Sequence, residues 1–123
     1  MTFAYWCVLM AALMPLLWAG AAKSRRDFDN ATPRDWLAGL EGWRRRANAA
    51  QLNSWEAFAP FAAAVIIAHL AGASQGSINA LAGLFVAARL AYGLLYIANW
   101  PGLRTLAWLT GYGCVIGLFV AAA

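Results

Sequence analysis

The sequence predicts an all-α integral membrane protein, a single domain over residues 1–123 in which four transmembrane helices form an antiparallel bundle. Three observations carry this prediction. The 123 residues are 63% hydrophobic and only 11% charged, whereas soluble domains are about half apolar and about a quarter charged. Four segments, near 2–22, 46–72, 78–98 and 103–122, supply the ~20 apolar residues that a helix needs to cross a hydrocarbon core about 30 Å thick. Finally, these segments show no apolar and polar alternation with period two, which argues against membrane strands.

The cations set the orientation. Lys23, Arg25, Arg26, Arg34, Arg44, Arg45 and Arg46 all lie between the first and second spans, and Arg104 lies between the third and fourth. The two termini and the 73–77 turn carry none. The positive-inside rule then makes the first and third connections cytoplasmic and puts both termini on the other side. The net charge of +4 reports this orientation, and nucleic acid is not an expected partner.

Span one, Thr2 to Ala22, has no cation before its apolar run and is too long for a signal-peptide core, so it is read as a retained helix that Pro15 bends. The following segment, Lys23 to Asn30, is a polar cytoplasmic loop. Thr32-Pro33-Arg34-Asp35 starts a short helix, with Thr32 as N-cap, Pro33 at the first helical position and Asp35 placed to close a capping box. Span two begins in water at Arg44 to Arg46 and ends near His69. A short uncharged turn, Ala73 to Ser77, makes spans two and three a hairpin. Asn99-Trp100-Pro101-Gly102 breaks the chain again, and Arg104 opens span four. Cys7 and Cys114 lie within spans at no metal-ligand spacing and read as packed thiols, with no metal expected.

The chemistry concentrates at the cytoplasmic end. Arg46, Ala49, Asn53, Glu56 and Pro60 recur at intervals of three and four, one stripe of a helix. Arg89, Tyr92 and Tyr96 form a similar stripe on span three. Glu56 and Arg89 are the only charged side chains inside the apolar parts of spans two and three, and a charge there costs roughly 3 kcal/mol on insertion scales. They are expected to pair, since a flexible Arg can close the ~8 Å difference in depth. Such a pair, with Asn53 and Tyr96, locks two helices together and needs no further role. It also leaves a cationic, donor-rich corner, with Arg25, Arg26, Arg46 and Arg104 nearby, suited to a small polyanion and to a lipophilic molecule arriving through the bilayer. Arg44 and Arg45 read as anchors to lipid headgroups, and His69 as an interfacial residue far from this group.

These residues resemble the MAPEG family, the membrane-associated proteins of eicosanoid and glutathione metabolism, in its small bacterial members. The likeness rests on Arg46, Asn53, Glu56, Pro60 and Phe61 in span two, Arg89-x-x-Tyr92-x-x-x-Tyr96 in span three, and Arg104 after a Pro-containing turn. It implies a homotrimer that binds glutathione as co-substrate between subunits. In that reading Arg104 stabilises the thiolate. Arg25, Arg26, Arg46, Asn53, Glu56, Arg89, Tyr92 and Tyr96 are the matching ligand-binding positions, and a lipophilic electrophile is the second substrate, with peroxide reduction as a related activity. One departure stands out: Ala49 occupies a position where glutathione-using members carry a second Arg. The residues alone leave open a non-catalytic protein that binds lipid or braces a larger membrane complex, and a small solute or proton carrier.

Overall fold

A computed structural model describes all residues, 1–123. Four long helices, α1 (Phe3–Ala22), α3 (Gly42–Leu70), α4 (Gln75–Ile97) and α5 (Pro101–Ala122), form a bundle, and a short helix, α2 (Pro33–Ala38), sits in the first connection. The central pair is α3 and α4; α1 and α5 each pack across both of them. Three helices, α1, α4 and α5, are long and apolar enough to cross a membrane. The fourth, α3, is the longest at 29 residues, and Asn53, Glu56, Pro60 and His69 dilute its apolar run.

The main core is built from small and aromatic residues. Ala4, Cys7 and Ala11 of α1 meet Ala57, Phe61, Ala64, Val65 and Ala68 of α3, with Phe85 of α4 and Leu118 of α5 among them. Phe61 and Phe85 stack with centroids 3.8 Å apart, binding the hairpin face to face. Both cysteines are buried free thiols. The outer surface is apolar, with Leu16 57% and Ile116 62% exposed, the arrangement expected where lipid replaces water as solvent.

The helix ends show where local chemistry chose the boundaries. Gly72 and Asn99 are in the left-handed region, at φ 75° and 61°. Around them Ala73 N–H bonds Ala68 C=O while Gly72 N–H bonds His69 C=O, and Trp100 N–H bonds Leu95 C=O while Asn99 N–H bonds Tyr96 C=O. These are Schellman motifs, which satisfy carbonyls otherwise orphaned at a helix end. The turn between α3 and α4 is therefore only 71–74, shorter than the predicted one, with Gly76 and Ser77 already helical. Helices α1 and α3 run unbroken through Pro15 and Pro60.

The start of α2 differs from expectation. The Thr32 side chain makes no capping bond to the helix; its hydroxyl instead donates to Asp29 Oδ2 at 3.0 Å, and Asp29 Oδ1 accepts from Ala31 N–H at 2.9 Å. The hydroxyl is turned toward Asp29, and its oxygen does not accept from the Asp35 N–H as a capping box requires. The same bonds hold the Asp29 carboxyl below its ordinary pKa, the Ala31 backbone bond contributing most.

Two predictions follow from this packing and loop. A Cβ at Gly93 would collide with the Trp18 indole, whereas a Cβ at Gly113 meets nothing within 4 Å. Gly93→Ala should destabilise the protein by about 1–3 kcal/mol through overpacking, and Gly113→Ala should be neutral or stabilising by up to about 1 kcal/mol, both read by thermal unfolding in detergent. A depressed Asp29 pKa means that its support of the loop is complete above the ordinary aspartate range and fades as pH falls through the lower folded value. Hydrogen exchange at the Ala31 amide, corrected for its intrinsic pH dependence, should show protection lost on that acidic side and absent at neutral pH in Asp29→Ala.

Candidate functional site

The stripe on α3 carries a short polar chain into the bundle. Arg89 Nη2, from α4, donates to Asn53 Oδ1 at 2.7 Å, and Asn53 Nδ2 donates to Glu56 Oε2 at 3.1 Å. The predicted Glu56 to Arg89 ion pair does not form; the one ion pair in the structure joins Arg25 and Asp27, at 2.7 Å on the surface. The reason is position. Arg89 is only 2% exposed, Glu56 is exposed, and the amide of Asn53, one turn before Glu56, lies between them and bonds both.

The chain continues toward α5. The Arg89 guanidinium lies over the Tyr92 ring at 4.2 Å, and Tyr92 meets Tyr96 edge to face at 5.7 Å. Arg104, in the first turn of α5, covers Tyr96 at 4.3 Å. Tyr92 is buried, while Tyr96 and Arg104 are partly exposed. Asn53, Glu56, Arg89, Tyr92, Tyr96 and Arg104 are thus one contiguous group. Arg104 stands at a helix N-terminus, the end that repels a cation, so the dipole and the guanidinium attract an anion together.

The other predicted positions are placed differently. Arg46 Nε donates to Ile97 C=O at 3.0 Å, closing the exposed end of α4, where a cation is favoured. Arg25 is bound to Asp27 and lies 5.9 Å from the Trp36 ring; Arg26 is exposed, and no contact ties either to Arg104. His69 is at the opposite end of the bundle. Its Nδ1–H donates to Val65 C=O at 2.7 Å, which leaves Nε2 to accept from the Thr2 hydroxyl at 3.0 Å, and the ring stacks on Tyr5.

None of the cavities is lined by Asn53, Glu56, Tyr96 or Arg104, so in one chain this group is an open surface. A groove of about 410 Å³ lies instead between α2 and α3, lined by Arg34, Leu37, Asn48, Gln51 and Trp55 among others. Gln51 Oε1 is buried without a partner. Asn48, Gln51, Leu52 and Trp55 follow the i, i+3, i+4, i+7 pattern of a second stripe on α3, a spacing legible in the sequence but without the charges that mark the first.

Removing the Asn53 amide would leave Arg89 buried with no side-chain acceptor. Asn53→Ala should cost about 2–4 kcal/mol, and Glu56→Gln, at an exposed position, no more than about 1 kcal/mol. Detergent thermal unfolding of the two variants should therefore separate them clearly, and equal losses would contradict the bonding order described above.

No curated protein and no solved structure matches the chain. The family description that does match, "MAPEG family", aligns over residues 3–123, and so includes every member of the polar group. The chain belongs to the MAPEG family of membrane proteins.

Proposed function

We propose that this protein is a homotrimer of four-span subunits in a bacterial inner membrane, with both termini outside, that conjugates glutathione or a related small thiol to lipophilic electrophiles. Peroxide reduction at the same thiolate is an accompanying activity. The observation that carries the reading is Arg104, held over Tyr96 at a helix N-terminus, in one contiguous group with Asn53 and Glu56. A free thiol with a pKa near 8.5 is mostly protonated at neutral pH. A guanidinium reinforced by a helix dipole favours the thiolate, and no protein nucleophile is needed.

In this reading Glu56 meets the ligand's ammonium and Asn53 its backbone, while Tyr96 donates a hydrogen bond. Arg89 and Tyr92 are buried and act by holding Asn53 and Tyr96 in place. Because the group is an open surface in one chain, a neighbouring subunit has to wall it, and the groove lined by Arg34, Leu37, Gln51 and Trp55 is the surface assigned to that in this reading. The fourth span is α3. At 1.5 Å per residue its 29 residues extend about 44 Å, enough to cross the hydrocarbon and project Trp43 to Arg46 into the cytoplasm.

A second reading, a non-catalytic protein that binds lipid headgroups or braces a larger complex, draws support from Ala49 and from the lack of an enclosed cavity at the corner. A carrier is disfavoured, because Ala57, Phe61, Ala64, Val65 and Phe85 form an apolar layer between Arg89 and His69.

Isothermal titration of glutathione into the detergent-purified protein tests the assignment. Saturable binding is expected, weakened about 10- to 100-fold by Arg104→Ala, the loss of a charge-assisted contact. Ala49→Arg should tighten it. No binding by the unaltered protein, together with binding gained on Ala49→Arg, would move the assignment to the lipid-binding or bracing role.

A further inference from the structure

Inside the bundle, away from the open corner, lies a cavity with about 10 Å³ of room for the centre of a water-sized particle. Its walls are Ala11 and Met14 of α1, Ser54, Ala57 and Phe58 of α3, and Phe85 and Arg89 of α4. Two of these walls are polar, and both are buried: Arg89 is 2% exposed and Ser54 4%. Arg89 spends Nη2 on Asn53, while its Nη1 is buried with no partner. A guanidinium nitrogen left unpaired in an apolar interior is costly, and a space of one probe sphere with at least two polar groups meets the requirement for an ordered water.

The chemistry of Ser54 decides what the space takes. Its hydroxyl donates to Ala50 C=O at 2.8 Å, so its hydrogen is committed and its oxygen offers lone pairs. The cavity therefore presents a donor on one wall and an acceptor on another. Water can accept from Arg89 and donate to Ser54. A halide would meet the Ser54 lone pairs and be repelled, and a second cation is excluded by Arg89 itself.

We propose that this cavity is a binding site for one structural water that bridges Arg89 Nη1 to Ser54 Oγ, and that the water is the missing partner of the buried guanidinium. The polar chain then runs unbroken from Ser54 through the water, Arg89 and Asn53 to Glu56. Helix α4 is tied to α3 at two points one residue apart, Asn53 and Ser54, which fixes the orientation of the guanidinium plane. This assignment does not depend on which ligand the open corner takes.

A structure in lipid nanodiscs at a resolution that orders solvent should show one peak within hydrogen-bond reach of both atoms. A direct Arg89 to Ser54 bond, or a space without density, overturns the proposal. Thermal unfolding supplies an independent reading through Ala11→Val, which adds two methyl groups to the cavity wall. If the space holds the bridging water, Val expels it, and Tm should fall by roughly 3–6 °C. A dry apolar space would be filled favourably by the added methyl groups, so an Ala11→Val Tm equal to or above that of the unaltered protein also overturns the proposal.

Discussion

Arg89 donates to Asn53 at 2.7 Å from a position only 2% exposed, and the cost of keeping that charge inside shapes the helices around it. A guanidinium in the middle of a membrane helix costs roughly 3 kcal/mol or more. Here the Asn53 bond and the Tyr92 face at 4.2 Å offset it, the latter by up to about 2 kcal/mol where water is excluded. Its planar, delocalised charge suits a site that offers one amide oxygen and one ring. Close approach of the backbones is also required. Gly111 of α5 faces the Arg89 stem, where an added Cβ would lie 3.4 Å from Cδ, and Ala88 and Ala57 are buried small residues nearby in α4 and α3. The side chain of one residue thus meets α3 through a hydrogen bond and α5 through contact.

A second polar clasp at the other end fixes the register of the same helices. His69 and Thr2 join the end of α3 to the start of α1, and Asn79 of α4 accepts from Ala4 N–H at 3.2 Å. Between the clasps the core is apolar, with the Phe61 and Phe85 stack within it. Helices in lipid gain little from burying apolar surface against one another, so small-residue packing and a few polar contacts supply specificity. The two ends are not equivalent, however. The end with His69 has no charged side chain, whereas the other end gathers Arg46, Arg89 and Arg104, the cations on which the proposed function draws.

Much of this was legible from residue spacing. Helices α1, α4 and α5 follow from apolar runs of membrane length, whereas α3 is long but diluted by polar residues; the stripes at Asn53 and Glu56 and at Arg89, Tyr92 and Tyr96 follow from a period of 3.6, which brings these side chains to one corner. What spacing could not resolve was competition between neighbouring acceptors. Glu56 was the obvious partner for Arg89 by charge, yet the uncharged Asn53 intercepts it, because distance within a turn outweighs formal charge when the acid is exposed. At Thr32 the nearby Asp29 carboxylate orients the hydroxyl by accepting its hydrogen, and the hydroxyl oxygen caps no helix amide. The boundary of the α3–α4 turn moved for a different reason, since the Schellman geometry at Gly72 ends one helix and lets the next begin at Gln75. The groove at Gln51 has no such signal in the sequence, because neutral polar side chains on a helix lack the desolvation cost that singles out Glu56 and Arg89.

The interposed amide bears on what the corner does. Had Glu56 and Arg89 paired directly, each would have cancelled the other, and the pair would have been a lock with nothing left to bind. With Asn53 between them, the guanidinium stays sealed among hydrocarbon while the Glu56 carboxylate remains at the surface, with only one bond from an amide hydrogen. That exposed carboxylate is the group which, in the proposed function, meets the ligand's ammonium, while Arg104 at the N-terminus of α5 meets its anion. A brace needs no such exposure, because its strength would come from saturating both charges internally. The separation of Glu56 from Arg89 supports the proposed binding role, and it rests on Asn53, which stabilises the buried charge and leaves the exposed one with a single partner.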